Sequence, residues 1–302
     1  MKDLDEQTRQ KFLGLGGSDE KEWHAWWEKD AVEVLSLEES QRIRRNHPEL
    51  IVPTRWVRTK KREGLEGQAF QAKSRLVVQG FRDRSLGFDR RDAPTASLLA
   101  ESICLAVPAF MNFVMVSKDV KNAYFSGKSL ERDINLEQPR GGLGQLKPGQ
   151  LMKAKKAVYG FSEAARLFWV ALKGHLENDG WVQSRLEPAL FFLPDSQSRL
   201  VGILVTHVDD VEGGVQQDYV DRAFAKYSQA SEYATNRFKE FVFRGREIKQ
   251  RDRGHVDVSM RNYSLNTKKI QIDRIRRQQL ESSLTEEEFN RCINLAQASL
   301  VG

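Results

Sequence analysis

The stretch Leu204–Gly214, LVTHVDDVEGG, decides how this chain is read. An apolar run passes through Val205 and Val208 into two adjacent carboxylates, Asp209 and Asp210, and strand character resumes at Val211. On a regular strand, neighbouring side chains point to opposite faces. At a hairpin tip they can instead lie at the sheet's end, where at least one reaches a shared metal. Unpaired carboxylates beside a long apolar strand cost stability unless something cationic compensates them. Mg²⁺ meets that need, because it takes one or two carboxylates together with substrate phosphate oxygens. Taken alone, the Asp pair is an ordinary acidic β-turn.

A second carboxylate shifts the balance. Asp119 lies at the end of another apolar strand, FVMVSKDV (113–120). If the two strands are neighbours, Asp119, Asp209 and Asp210 converge at one rim. That arrangement suits two-metal phosphoryl transfer, in which one ion lowers the pKa of the attacking hydroxyl and both stabilise the oxygens in flight.

The surrounding pattern is mixed. TRWVRTKK (54–61) alternates apolar and basic residues as a half-exposed strand does, and AKSRLVVQGF (72–81) reads as its hairpin partner across a turn at Gly64 and Gly67. An arginine-rich loop follows up to Pro94. Residues 95–112 are helical by periodicity, with Pro108 kinking or ending the helix. A strand and a Gly/Pro-rich loop at 133–144 precede an amphipathic helix within 162–180. Strands follow at 189–193, 200–208 and after Asp210. Next come a helix near 216–230, strand-like segments in 241–250 and 254–265, and helices near 266–282 and 285–300. Residues 1–47 read as a polar helical extension in which Trp23, Trp26 and Trp27 share a packing face. The order argues an α+β fold, a sheet with helices packed on one face.

Composition bounds the partners. The 302 residues are 40% hydrophobic, enough for a core, and no apolar run approaches the ~20 residues of a membrane span. Two cysteines, Cys104 and Cys292, form neither a disulfide framework nor a zinc motif. With no secretory signal at its acidic, polar start, the chain reads as soluble and intracellular, without a membrane partner. Lysine and arginine exceed aspartate and glutamate by 48 to 42, and the excess is concentrated. Residues 41–92 carry +8 and residues 244–277 carry +7. Two basic blocks around an acidic middle suit a polyanionic partner.

The motifs KSRLVVQGF (73–81), DAPTAS (92–97), KDVKNAYFSG (118–127), LEQPRG (136–141), KAKKAVYGFSEAARLFW (153–169), EPALFF (187–192), VTHVDD (205–210) and FRGREI (243–248) occur in this order. The succession resembles the reverse transcriptase domain of copia-type LTR retrotransposons from about Trp23 onward. The resemblance implies a right-hand polymerase: fingers and a mostly antiparallel palm sheet over 48–250, and the start of a thumb or connection over 251–302. It implies an RNA-directed DNA polymerase that extends a primer on an RNA or DNA template from deoxynucleoside triphosphates, with Mg²⁺ or alternatively Mn²⁺. Asp119, Asp209 and Asp210 match the catalytic, metal-holding aspartates. Tyr124 matches the aromatic beneath the incoming sugar, where a ring excludes a 2′-hydroxyl. Lys73 and Arg75 match the triphosphate-contacting strand, and Tyr159 and Gly160 the turn before a nucleotide-contacting helix. Phe243, Arg244 and Gly245 match the hairpin that grips the primer end, and His207 stands near that end where the family has Tyr. Glu163 and Ala165 replace the family's Gln and Pro, and a carboxylate at 163 repels triphosphate unless it is paired. RNase H and integrase segments of a parent polyprotein are expected but not visible. The alternative reading is a catalytically inactive nucleic-acid-binding remnant of such an element.

Overall fold

The computed structural model describes residues 5–61, 70–84, 91–120, 123–230, 233–266, 276–278 and 283–290. It begins with α1 (Glu6–Leu13), α2 (Ser18–Glu28), β1 (Val32–Val34) and α3 (Leu37–Asn46), followed by β2 (Ile51–Lys61) and β3 (Gln71–Val78). Then come α4 (Leu98–Met111), β4 (Val114–Val120), β5 (Asn135–Glu137), β6 (Leu151–Ala154) and α5 (Ala164–Asn178). Strands β7 (Val182–Gln183), β8 (Leu190–Pro194), β9 (Leu200–His207) and β10 (Asp210–Val215) precede α6 (Ala225–Ala230). The last elements are β11 (Tyr233–Phe238), β12 (Glu240–Phe243), β13 (Arg246–Gln250), β14 (Val256–Ser259) and α7 (Arg261–Asn266).

These strands form three sheets. The first has the order β1-β6-β5-β2-β3, and the second β11-β4-β10-β9-β8-β7. The third is β12-β13-β14. Every pairing is antiparallel except β2 with β5. The predicted basic hairpin is present, with Thr54 opposite Val78 and Lys61 opposite Gln71.

The six-stranded sheet is covered on both faces, not one as its sequence suggests. The reason is the period of two along its strands. In β4, Val116 and Val120 face α5 through Phe168, Leu172 and Leu176, a spacing of four that lines one side of the helix. Met115 faces the other way, toward Ala100 and Cys104 of α4 and toward Phe241, Phe243 and Ile248 of the small sheet. A central strand apolar on both sides needs two covering layers, and each buried Val, Leu or Phe contributes roughly 1.5–3 kcal/mol.

Further differences have local causes. Pro108 does not end α4, which runs on to Met111 and closes on Asn112 in the left-handed region. The proline packs against β10, where a Cβ on Gly214 would come within 2.4 Å of it. Residues 32–34 and 151–154 are short strands that pair with each other, too short to show a period. The segment 261–266 is helical, not extended. Among the tryptophans, Trp23 and Trp26 are buried, whereas Trp27 is 47% exposed and packs edge-on to Trp23 at 5.5 Å. Trp23, Trp26 and Val32 belong to the same core as Leu76, Leu136 and Phe161, so residues 18–34 and the five-stranded sheet share one interior. The turn at Gly64 and Gly67, part of the arginine-rich loop, Cys292 and most of the helices expected at 266–282 and 285–300 lie outside the described residues.

Candidate active site

The hairpin β9–β10 turns on two residues, Val208 and Asp209. Val208 has φ of +55°, a left-handed conformation that a β-branched side chain adopts only at a cost of ~1–3 kcal/mol. The sheet over-determines it: β10 is paired along its length to β9 on one side and β4 on the other. The Val120 N–H also donates to the Asp209 carbonyl at 3.2 Å.

This register brings the predicted aspartates together. Asp210 stands directly opposite Asp119 on β4 and opposite His207 on β9. Directly opposed residues share a face, with Cβ atoms roughly 4.5–5.5 Å apart. Asp209 sits in the turn beside them. Burial, and then the charges of Asp209 and Asp119, push the Asp210 carboxyl up to about 7. Asp119 is raised as well, by burial and by Asp209, with Lys73 and Lys61 opposing. Among the described residues no group of three or more His, Cys, Asp or Glu is placed to hold a metal ion. The donor set fits a cation of the open kind, which binds one or two carboxylates and completes its shell with substrate oxygens. A proton held by burial, and then by the neighbouring carboxylate charges, is what such a cation displaces.

The five-stranded sheet contributes cations. Opposition of Val57 to Arg75, Thr59 to Lys73 and Lys61 to Gln71 puts Lys61, Lys73 and Arg75 on one face of the β2–β3 hairpin. Burial, then Arg75 and Lys61, pull the Lys73 ammonium below its usual range. Arg75 lies over the Tyr159 ring at 4.8 Å, and Tyr159 meets Tyr124 edge-on at 4.8 Å. Burial pushes the Tyr159 phenol up to about 12 and raises that of Tyr124, with the Asp209 charge adding to both. Gly160 follows with φ of +97°, and a Cβ there would lie 1.9 Å from the Val78 carbonyl. Only glycine allows that turn to press against β3.

On the other side of the aspartates, Phe243 is buried and edge-on to His207 at 6.5 Å. Burial and then Arg244 lower the His207 imidazole, with Asp209 opposing. Arg244 and Gly245 form the two-residue turn between β12 and β13, and the Arg244 guanidinium is engaged by Glu101 of α4.

Several contributors were not singled out from sequence. Lys61 was detectable, since the alternation that exposes Lys73 and Arg75 also exposes it. Arg132 was not: it pairs with Asp83 at 2.7 Å and, through Nε, with Glu163 at 2.8 Å. Position 163 therefore carries a compensated carboxylate, which meets the condition its charge imposes. Glu22 of α2 accepts the Leu76 N–H of edge strand β3 at 3.2 Å, and Asp19 takes Arg58 and Ser74.

The profile of the family described as reverse transcriptase (RNA-dependent DNA polymerase) matches residues 43–272. The chain belongs to that family. Within it, motif order and relatives place it in the copia type. It is 31% identical over 162 residues to the Retrovirus-related Pol polyprotein from transposon RE1 of Arabidopsis thaliana, covering 53% of this chain and 11% of that protein. It is 27% identical over 158 residues to the corresponding polyprotein from transposon TNT 1-94 of Nicotiana tabacum, covering 52% and 12%. The aligned stretch thus corresponds to about a tenth of these relatives' length. A foamy viral protease-reverse transcriptase in complex with double-stranded DNA superposes with a TM-score of 0.42 and 12% identity, over 80% of this chain and 35% of that one. Among the described residues no helix is long and apolar enough to cross a membrane.

Proposed function

We propose that this domain is an RNA-directed DNA polymerase that joins deoxynucleotides to a primer 3′-hydroxyl on an RNA or DNA template. The observation that carries the reading is the opposition of Asp119 and Asp210 across adjacent strands, with Asp209 in the β9–β10 turn and the charges of Lys73 and Lys61 acting on Asp119. Family membership implies dependence on a divalent metal, and we take the ion to be Mg²⁺, held by Asp119 with Asp209 or Asp210. Bound there, Mg²⁺ would supply Lewis-acid activation of the hydroxyl and stabilisation of charge on the transferring phosphate.

The remaining work falls to the chain's own residues. Lys73 and Arg75 bind the triphosphate, Arg by bidentate contact, and Lys61 adds charge at the same face. Tyr124, braced by Tyr159 and by Phe168 at 6.3 Å, presents its ring to the sugar. Gly160 sets the approach of the following helix. His207 and the turn of Phe243, Arg244 and Gly245 hold the primer end. The basic blocks hold the template–primer backbone with little sequence preference, so binding weakens steeply with salt. In this reading residues 48–250 are fingers and palm, residues 1–47 buttress the fingers, and residues 251–302 begin the thumb.

Primer extension on an RNA template with dNTPs and Mg²⁺ tests the proposal. Asp209→Asn should abolish extension while leaving duplex affinity within about threefold, because the removed charge is one of many. Full extension by that variant refutes the mechanism.

A further inference from the structure

The side chain of Glu101 is 0% exposed, on a helix whose neighbouring buried positions are Ala100, Cys104 and Pro108. A lone carboxylate there is prohibitively costly. It is held instead by two guanidinium groups from one turn: Arg244 binds Oε1 and Arg246 binds Oε2. These arginines flank Gly245, and both turn residues are left-handed, Arg244 at φ +47° and Gly245 at φ +74°. This conformation suits a two-residue hairpin but disfavours a long side chain at the first position, so the ion pair holds a turn that Arg244 would not choose.

The other end of the linkage reaches the aspartates. Helix α4 is pinned at its start to β9, where the Ala96 N–H donates to the Thr206 carbonyl at 3.1 Å and Thr95 bridges His207. Phe243, the residue before the turn, is 1% exposed and touches that same His207. The contacts therefore close a ring: β9 at His207, the start of α4, Glu101, the two arginines, Phe243, and back to His207. His207 is opposite Asp210.

We infer that Glu101 is a positioning residue. By fastening both arginines of the 243–246 turn to α4, it fixes where the primer 3′ end lies relative to Asp119, Asp209 and Asp210. The inference rests on the polymerase reading of the site. It assigns Arg244 chiefly to anchoring the turn, leaving the backbone of residues 244–245 as the surface offered to the primer.

Glu101→Gln in the full chain tests it, with two readouts on template–primer duplex. The first is single-nucleotide incorporation normalised to burst amplitude, so that misfolded molecules drop out. The second is fluorescence of 2-aminopurine placed at the primer 3′ terminus, read with Ca²⁺ and no dNTP. The expected result is a fall of at least tenfold in kcat per active site, with the KM for dNTP within about twofold, and a changed 2-aminopurine signal. An unchanged kcat per active site together with an unchanged signal overturns the inference. If the wild type binds duplex but never extends, the polymerase reading fails, and the 2-aminopurine difference alone decides the positioning role. Should Glu101→Gln not fold, Arg246→Lys, which keeps the charge but loses the planar fork, is measured in the same way. It should shift both readouts in the same direction by a smaller factor, and no shift overturns the inference.

Discussion

Glu212 lies two residues beyond Asp210 on β10, with 0% exposure and neither carboxylate oxygen hydrogen-bonded. It faces Val205 and Ser117 across the sheet. Burial pushes its carboxyl up from 4.5 to about 8. Between those values the folded chain keeps the proton and the unfolded chain releases it, so the unfolded state binds fewer protons and stability falls as pH rises. The contribution is fully present below 4.5 and lost as pH passes 8. Its slope is about 1.4 kcal/mol per pH unit, on the order of 5 kcal/mol across the whole interval. Glu212→Gln has nearly the shape of the protonated acid and does not titrate. In EDTA, urea unfolding of both proteins should give similar stabilities near pH 4.5 and a gap that widens by about 1.4 kcal/mol per pH unit in favour of the variant. Parallel stability curves between pH 5 and 8 would refute the reasoning, because other titrating groups are common to both proteins and cancel.

Three more outcomes follow from the geometry. Because Asp210 titrates at about 7 without metal, a proton competes with the cation. Mn²⁺ or Mg²⁺ affinity by calorimetry should therefore rise about tenfold from pH 6 to pH 8 with proton release, and equal affinities would exclude Asp210 as a ligand. Arg132→Gln should cost about 3–5 kcal/mol in urea unfolding by removing the guanidinium that the buried Asp83 and Glu163 share; a loss below 1 kcal/mol would mean that their other partners suffice. Gly160→Ala should lower the melting temperature sharply, since the new methyl would sit 1.9 Å from a carbonyl oxygen in a backbone conformation closed to alanine; a variant melting with the wild type would disprove the close approach.

The aspartates and the basic hairpin were legible in the sequence for one reason: each rests on a pattern contained within a single strand, an apolar run for the aspartates and a period of two for the hairpin. The alternation in TRWVRTKK fixed which side chains share a face, and the apolar runs before Asp119 and Asp209 fixed both strand ends. That β4 and β10 are neighbours could only be supposed, because pairing between distant strands leaves no local trace. For the same reason the partners of Glu163 and Glu101 were hidden: Arg132 is 31 residues from one, and Arg244 is 143 from the other. The second covering layer on the central sheet was missed because an apolar strand does not say how many elements lie against it. Short strands such as Val32–Val34 are invisible to periodicity, which needs more than three residues to be seen.

The sutures between α2 and β3 have a practical consequence for anyone choosing where to cut. The family profile starts at residue 43, yet Glu22 supplies the acceptor for the Leu76 amide, Asp19 ties down Arg58 and Ser74, and Trp26 fills the space beneath the sheet. A fragment trimmed to that profile would carry a bare strand margin and an opened hydrophobic seam along the element that presents Lys73 and Arg75. Such margins recruit other chains. The cloning limit that respects the physics lies upstream, before residue 18, even though nothing in the matched motifs asks for it.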